Sequence, residues 1–285
     1  MIQFTNKNKF FIIFLFTLLL IIFPVHRKLI NKVIKEFSII RIKTSKNCDF
    51  DLIKNIPKGS SIIVGHPYGS PISHNGFISK NLESFIRQNK EQIETIFFTG
   101  DVFHSPTETK WNDLYNLIGE NIKLIVAPGN HDVGSRKSRE IFNKSIKHSL
   151  NFPFSIKLKN RNILIEDSVL NKWIISSDLK KKLNENSKKL PTILLRHNVP
   201  SNEFINISNS KYGLDNKLPS FKDLSDQLKS KTIIVSGDGG AFNSLPRFFC
   251  YKKNNLTFIL NGLGGLNGDI ILVLIDNDIY KYKLN

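Results

Sequence analysis

The sequence predicts an α/β fold in which two packed mixed β-sheets are flanked by helices, a four-layer sandwich that follows an N-terminal membrane-anchor helix. Three observations support this prediction. Strand-like and helix-like segments alternate from residue 60 to about residue 150, and the segments after Asn151 are shorter and richer in β-forming residues. An apolar run near the N-terminus predicts the anchor.

The N-terminal segment Phe10–Val25 is apolar almost throughout. It is slightly shorter than the ~20 residues of a typical spanning helix, but it suits a thin or locally adapted bilayer. Lys7 and Lys9 precede it as in a signal peptide, yet no small-residue cleavage site follows. We predict an uncleaved anchor over residues 1–28 and a basic linker over residues 29–58. The basic residues after the run favour a cytoplasmic domain, whereas charges on both sides leave the orientation open.

Three strand-and-helix units follow the linker. The predicted strands are Ser61–Val64, Thr95–Phe98 and Ile122–Val126, and the predicted helices lie around Phe77–Lys90, Trp111–Gly119 and Ser138–His148. A polar loop that contains glycine follows each strand. Parallel strands joined by helices place such loops at one edge of a sheet, which is where α/β proteins bind ligands.

The second half of the chain is dominated by short strands. The runs Phe154–Lys159, Asn162–Glu166 and Trp173–Ser176 come first, followed by a Lys-rich helix or exposed turn over Asp178–Lys189 and by the strands Thr192–Leu195 and Thr232–Val235. Ile270–Ile275 and Ile279–Leu284 form a predicted hairpin around Asp276-Asn277-Asp278. We assign residues 59–285 to one domain, because this length suits a single large α/β core.

The chain is strongly basic, with a formal net charge of +17. The basic residues are mostly lysines scattered along the chain, and no known nucleic-acid module is visible. Nucleic acid is therefore not an expected partner, and most of the charge is assigned to solvated surfaces. Phosphorylated substrates or acidic lipid headgroups also suit this charge.

Cys48 and Cys250 are the only cysteines. Two cysteines form neither a zinc ribbon nor a disulfide framework. Cys250 lies in an aromatic run and is predicted to be a small buried apolar residue. The cysteines therefore leave the cellular compartment open.

Residues with metal-binding side chains follow five of the predicted strands. Gly100-Asp101 ends the second strand, and Gly129-Asn130-His131-Asp132 ends the third. The remaining ones are His66, His197 and Asp238. Glycine beside Asp or Asn also occurs at ordinary strand exits, so each motif alone has a turn interpretation. Their order favours a shared centre, since carboxylate, amide and imidazole groups all bind metals.

In this order the motifs resemble those of the calcineurin-like metallophosphoesterases. That family has five blocks: Asp-x-His, Gly-Asp, Gly-Asn-His-Asp/Glu, an isolated His, and Gly-His-x-His. The second and third blocks match at Asp101 and at Asn130-His131-Asp132. The resemblance implies that Asp101 bridges two metal ions and that Asn130 and His197 bind the second. It also implies that His131 stabilises the phosphoryl group or protonates the leaving oxygen, with Asp132 orienting its ring.

The first and last blocks depart from the family pattern. His66 stands in place of the Asp and Tyr68 in place of the His in the first block. Asp238 and Gly240 replace the two histidines of the last block. One Asp has become His and one His has become Asp, so the formal ligand charge is preserved. The second ion keeps Asp101, Asn130, His197 and Asp238.

The first ion has a thinner set of ligands. Asp101 and His66 are its predicted donors, and Tyr68, His74 and His104 are weaker candidates. A phenol with a pKa near ~10 ionises only on a strongly acidic metal, which makes Tyr68 the weakest of these.

The resemblance implies a metal-dependent hydrolase of a phosphomonoester or phosphodiester, in which two divalent Mn, Fe or Zn ions activate a hydroxide. If only the second ion binds, Arg196 or a lysine would supply positive charge. The alternative is a catalytically silent, membrane-tethered binding or assembly protein. The anchor suggests a lipid-linked or polysaccharide phosphate as substrate, although the sequence does not identify it.

Overall fold

Two six-stranded sheets lie at the centre of the part of the chain that the structure describes. The computed structural model describes residues 48–69, 76–158, 161–170, 174–187, 191–201, 221–228, 231–239, 246–265 and 267–285, which all fall within one compact unit. The predicted anchor, most of the linker, His74 and Gly240 lie outside these residues. No helix among the described residues is long and apolar enough to cross a membrane.

The strands have the following bounds: β1 Leu52–Ile53, β2 Ser60–Val64, β3 Ile93–Phe98, β4 Lys123–Val126, β5 Phe154–Leu158, β6 Arg161–Ile165, β7 Thr192–Arg196, β8 Thr232–Ser236, β9 Phe248–Lys253, β10 Leu256–Asn261, β11 Ile270–Ile275 and β12 Asp278–Lys283. The helices are α1 Lys80–Gln88, α2 Glu108–Ile118, α3 Asn130–Val133, α4 Arg136–Ser145, α5 Ser177–Ser187 and α6 Phe221–Gln227.

The first sheet has the order β1-β12-β11-β2-β3-β4. Its strands β2, β3 and β4 are parallel, and β11 joins β2 in antiparallel orientation. Val64 pairs with Phe98, which in turn pairs with Val126. The three parallel strands therefore end at the same level, and the loops that follow them start side by side.

The second sheet has the order β5-β6-β7-β8-β10-β9. Strands β6, β7, β8 and β10 are parallel, and the antiparallel β5 and β9 lie at the two edges. Leu195 of β7 pairs with Val235 of β8, so these strands also end level. Both sheets are mixed, as the sequence predicts.

Side chains alternate between two hydrophobic layers along each central strand. Ile63 of β2 packs in the cluster between the sheets, together with Ile193 of β7. Its neighbours Ile62 and Val64 belong instead to the cluster under α1, α2 and α4. On the other sheet, Leu194 packs against α5 and α6. This two-residue period produces four layers, helix, sheet, sheet and helix, and confirms the α/β sandwich part of the predicted fold.

Helix α2 shows how the sequence sets local structure. The side chain of Thr107 caps the helix by accepting the N–H of Lys110, and Gly119 ends it with a φ of 78°. Trp111, Leu114 and Ile118, spaced at helical intervals, are buried against the first sheet. Most predicted elements agree with the structure to within about three residues at each end, the usual uncertainty of helix and strand boundaries.

Some elements were not predicted. The sequence pattern did not indicate the short strand β1, the hairpin β9–β10, the single turn α3 or the helix α6. It also predicted a strand over Trp173–Ser176, but residues 174–176 have no strand structure. Short segments of this kind are formed by their neighbours more than by their own periodicity.

A disulfide bond joins Cys48 to Cys250 in β9. Their Cα atoms are 5.9 Å apart, although 202 positions separate them in the sequence. Cys250 is fully buried as predicted, but its interpretation as a simple apolar residue was wrong. A pair of distant cysteines carries no spacing pattern, so only the fold brings them together.

Candidate metal and active site

The structure brings all seven predicted site residues to one edge of the sandwich, where strands from both sheets end. His66 follows β2, Asp101 follows β3, and α3 after β4 carries Asn130, His131 and Asp132. His197 and Asp238 follow β7 and β8 of the other sheet. His66, Asp101, Asp132, His197 and Asp238 are buried, His131 is half-buried and Asn130 is exposed.

Backbone hydrogen bonds continue past the strand ends and hold these loops. Thr99 donates to the carbonyl oxygen of Val64 at 2.9 Å, and His66 donates to that of Gly100 at 3.1 Å. In the second sheet Asp238 donates its N–H to the carbonyl oxygen of His197 at 3.1 Å. The site residues therefore extend from ordered strand ends.

The two sheets approach each other so closely at this edge that two positions require glycine. A Cβ atom on Gly100 would lie 2.6 Å from Nδ1 of His197, and the φ of Gly100 is +89°. A Cβ atom on Gly237 would collide with the carbonyl oxygen of Thr99. These glycines allow His197 and Asp238 of the second sheet to reach the Asp101 loop.

His66 and Asp101 both have backbone conformations that are uncommon for residues with a side chain. Their φ angles are 52° and 54°, in the left-handed region. The other non-glycine residues with positive φ in the described chain, Asn254 and Asp276, lie in hairpin turns. Strained conformations at strand ends away from hairpin turns are typical of functional sites.

The Asp132 carboxylate joins the second and third motifs. It accepts the N–H groups of Asp101 at 2.7 Å, Gly129 at 2.9 Å and Val102 at 3.1 Å. Burial and the charge of Asp101 raise the pKa of Asp132 to about 7, while the N–H groups favour the ionised form. Asp132 therefore positions the Asp101 loop, whereas the sequence analysis assigned it to the His131 ring.

Three histidines have the same hydrogen bonding at Nδ1. Nδ1 of His66 lies 2.6 Å from the carbonyl oxygen of Gly69, and Nδ1 of His131 lies 2.8 Å from that of His104. Nδ1 of His197 lies 3.1 Å from the carbonyl oxygen of Thr99. A carbonyl oxygen only accepts, so these partners assign the proton to Nδ1 in each ring. In the neutral ring, Nε2 then carries a lone pair.

All three Nε2 atoms face the same oxygen, Oδ2 of Asp101. The distances are 3.4 Å for His66, 3.5 Å for His197 and 3.9 Å for His131. They exceed the roughly 2.7–3.2 Å of an N–H···O hydrogen bond. Lone pairs gathered around a carboxylate oxygen repel one another unless a positive charge lies among them. The arrangement therefore requires a cation or an added proton.

Two further oxygens face His197. Oδ1 of Asn130 lies 3.1 Å from its Nε2, and Oδ1 of Asp238 lies 3.8 Å from it. Burial opposes protonation of His197, but the charges of Asp101 and Asp238 outweigh it and raise its pKa. Burial likewise opposes ionisation of Asp101, yet His197 and His66 lower the pKa of that carboxyl below its usual value.

The side chains offer donor atoms that suit a divalent ion, but they are not arranged as a complete set of metal ligands. No group of three or more His, Cys, Asp or Glu side chains among the described residues has the arrangement of a metal site. The donors instead contact one another around Asp101. Two ligands of one ion, each at about 2.1 Å, lie roughly 3.0–3.4 Å apart, which is close to the observed separations of His66 and His197 from Asp101.

Tyr68 is buried beside His66. Its ring centroid lies 4.4 Å from that of His66 and 5.6 Å from those of His104 and His131. Burial and the charge of Asp101 raise the pKa of the Tyr68 phenol above its usual value. Tyr68 therefore stays neutral, which agrees with its weak standing as a predicted ligand.

Arg196 cannot supply positive charge to a substrate. Its side chain is fully buried and lies 3.3 Å from the buried carboxylate of Glu166. That expectation was wrong, because the side chain preceding His197 in the strand points to the opposite face.

Ser168 and Asn198 form a support under His197 that the sequence analysis missed. Ser168 donates its hydroxyl to Oδ1 of Asn198 at 3.0 Å and accepts the Asn198 N–H at 3.1 Å. The hydroxyl of Ser236 donates to the Asn198 carbonyl oxygen at 3.1 Å. Asn198 is adjacent to His197 in the sequence, but nothing in the sequence identifies Ser168.

A groove of about 600 Å³ lies beside His131 and Asn130. Its other walls include His104, Ser105, Lys137 and Ser138. The side chain of His131 is 31% exposed, so its ring is accessible next to this groove. Asn130 and His131 are the predicted site residues that line this groove.

The family model of the calcineurin-like phosphoesterases matches residues 73–262 of the chain. This chain belongs to that family. The match covers more than half of the chain and begins beyond His66 and Tyr68, the residues of the divergent first block. No curated protein sequence matches the chain.

Several solved structures are similar to the calcineurin-like chain. A single mutant of Vps29 from Entamoeba histolytica has 14% identity and a TM-score of 0.40, with 79% of this chain and 92% of that chain covered. Vacuolar protein sorting 29 from Cryptosporidium parvum has the same identity and score, with 83% and 93% covered. A predicted phosphoesterase from Streptococcus pneumoniae has 9% identity and a TM-score of 0.32, with 78% and 86% covered.

Proposed function

We propose that this protein is a metal-dependent hydrolase of a phosphate ester. The observation that carries the proposal is the convergence of three Nε2 atoms on Oδ2 of Asp101, with the Nδ1 of each ring donating to a carbonyl oxygen. Asn130 and Asp238 add two oxygens on the side of His197. Family membership supports the same conclusion.

The ion would be held by Asp101, Asn130, His197 and Asp238. When bound, a divalent ion polarises phosphoryl oxygens and lowers the pKa of water from about 15.7 toward about 7. Thr99 orients His197 for this role through its carbonyl oxygen, because the Nδ1 hydrogen bond leaves Nε2 as the ligand atom.

His131 is the proposed general acid. The carbonyl oxygen of His104 holds its Nδ1 proton, so Nε2 is the atom that gains or loses a proton during the reaction. The ring borders the groove, where the leaving oxygen of a bound ester would lie within its reach. The N–H of His131 also donates to Oδ1 of Asp101 at 2.9 Å, which fixes the distance between acid and carboxylate.

The proposed substrate is a phosphorylated molecule that enters the groove. Lys137 gives that wall a positive charge, which suits an anionic leaving group. The apolar N-terminal run supports a substrate at a membrane surface, such as a lipid-linked or polysaccharide phosphate.

Asp101→Asn tests the function. Full-length protein is stripped of metal, reloaded with Mn²⁺ and assayed with nitrophenyl phosphate and bis-nitrophenyl phosphate. We expect wild type to hydrolyse at least one ester and Asp101→Asn to lose at least a thousandfold in rate, which corresponds to about 4 kcal/mol. The matched control is Asp113→Asn, since Asp113 is exposed on α2. Wild type that is inactive on both esters and retains no Mn²⁺ would contradict the proposal.

The alternative is a catalytically silent, membrane-tethered binding or assembly protein. The replaced residues of the first and last blocks favour it. Under this alternative, purified protein retains no Mn²⁺ after dialysis, and Asp101→Asn has the same metal content and the same lack of esterase activity as wild type. Metal content therefore separates the two proposals even when the true substrate is not among the esters tested.

We propose that residues 1–28 anchor the protein by a single pass and that the domain faces an oxidising compartment. The apolar run supports the anchor, and the Cys48–Cys250 disulfide supports the oxidising side, because disulfides are rare in reducing cytosol. This weighs against the cytoplasmic side that the basic residues favour.

The thiol state tests this location. Cells that express the full-length protein are quenched in acid, and free thiols are then labelled with a maleimide polymer. We expect no label on wild type before reduction and two labels after it. Cys48→Ser should take one label without reduction. Two labels on unreduced wild type would contradict the oxidising location.

A further inference from the structure

We propose that the centre holds one divalent ion, because Tyr68 occupies the place where a second ion would lie. We use "ligand side" for Asn130, His197 and Asp238, and "tyrosine side" for His66 and Tyr68, on the two sides of Asp101. The inference rests on the proposed function, since it concerns the number of ions in that centre.

The two sides offer different numbers of donors. The ligand side has an amide oxygen, an imidazole nitrogen and a carboxylate oxygen, which together with Oδ2 of Asp101 make four, the usual number for zinc. On the tyrosine side, the described residues offer Nε2 of His66 and the same Oδ2 of Asp101. Gly240, which replaces a histidine of the family pattern, has no side chain to add.

Asp101 presents one carboxylate oxygen to the imidazoles. Its Oδ1 accepts the backbone N–H of His131 at 2.9 Å. Its Oδ2 is the atom that all three imidazoles face. A second ion would have to share this single oxygen with the first.

The Tyr68 ring fills the space beside His66. Tyr68 is 1% exposed, and its ring contacts those of His66 and His131, with centroid distances of 4.4 Å and 5.6 Å. A neutral aromatic ring stands where the family places a ligand.

The charge of the buried carboxylates also favours one divalent ion. Carboxylate oxygens of Asp101 and Asp238 face His197 and together neutralise one divalent ion, whereas the carboxylate of Asp132 accepts three backbone N–H groups. A second divalent ion on the tyrosine side would leave two positive charges uncompensated in a buried place, which is costly.

The experiment counts ions directly. Purified full-length protein is dialysed against Mn²⁺, and bound Mn per chain is measured by mass spectrometry and by electron paramagnetic resonance. We expect one ion per chain with the spectrum of isolated Mn²⁺. Two ions per chain with a spin-coupled spectrum would overturn the inference and leave the proposed function intact, whereas no bound ion would overturn both.

Variants at Tyr68 test whether this side chain is what excludes a second ion. Tyr68→Phe should keep one ion, and loss of that ion would overturn the inference by showing that the phenol is a ligand. Tyr68→His replaces the ring by a donor and should bind a second ion with spin coupling. A single ion in Tyr68→His would overturn the role of Tyr68. Tyr280→His on β12 is the matched control, and circular dichroism melts verify folding of each variant.

Discussion

The ligand side and the tyrosine side meet at the same carboxylate oxygen, but they are built differently. The ligand side comes from α3 and the second sheet, and its side chains approach His197 through polar atoms. The tyrosine side comes from the loop after β2, and there an aromatic ring packs against His66. The first side is suited to holding a cation, and the second is suited to excluding water.

The first and last sequence blocks, which both diverge from the family pattern, therefore differ in the donors that they supply to the centre. In the last block Asp238 supplies an oxygen where the family pattern has nitrogen, and the centre keeps a donor. In the first block Tyr68 supplies a buried ring where the pattern has a donor. In the proposed single-ion centre, the replacements keep the donors of the ligand side and leave fewer donors on the tyrosine side.

His131→Ala is expected to have the largest effect. Removing the general acid should lower kcat by about 10²–10⁴-fold. The amount of bound Mn²⁺ should stay unchanged, because His131 is not among the proposed metal ligands. The loss should be greater for an alkyl phosphate than for nitrophenyl phosphate, whose leaving group departs without a proton. Equal losses on both esters would assign His131 to binding instead.

His197→Ala and His66→Ala compare the two sides. Loss of a ligand should weaken Mn²⁺ binding by more than the 10–100-fold typical of outer-shell changes, so we expect more than about a hundredfold for His197→Ala. His66→Ala should cost about tenfold, the lower end of that outer-shell range. Isothermal titration of each variant with Mn²⁺ measures both numbers, and equal losses would break the distinction between the sides.

Asp132→Asn should have the smallest effect on the chemistry but a clear one on stability. Its carboxylate accepts three backbone N–H groups, and the amide leaves at least one of them unsatisfied. A buried unsatisfied donor costs about 1–3 kcal/mol. In a domain of this size that lowers the melting temperature by about 2–4 °C per kcal/mol, measurable by calorimetry. An unchanged melting temperature would show that Asp132 is dispensable to the loop.

Several parts of this protein follow from the sequence. The period-two burial of Ile62, Ile63 and Val64 makes β2 a strand buried on both faces, and the capping residue Thr107 sets the start of α2. Gly100-Asp101 and Gly129-Asn130-His131-Asp132 identified the site because their chemistry is local and their order along the chain is fixed.

Contacts between distant segments were decided by the tertiary structure. The Cys48–Cys250 bond, the support of His197 by Ser168 and the packing of Tyr68 against His66 and His131 each depend on how segments meet. Arg196 and His197 are adjacent in the sequence, yet Arg196 pairs with the buried Glu166 while His197 faces Asp101. The sequence alone did not distinguish these two environments.

Hydrophobic periodicity and turn chemistry act over a few residues, so the order of amino acids is enough to predict which residue types stand at the strand ends. Which nitrogen and oxygen atoms face one another depends on the fold. That outcome depends on the close approach of two sheets at Gly100 and Gly237, and no local pattern encodes the distance between sheets.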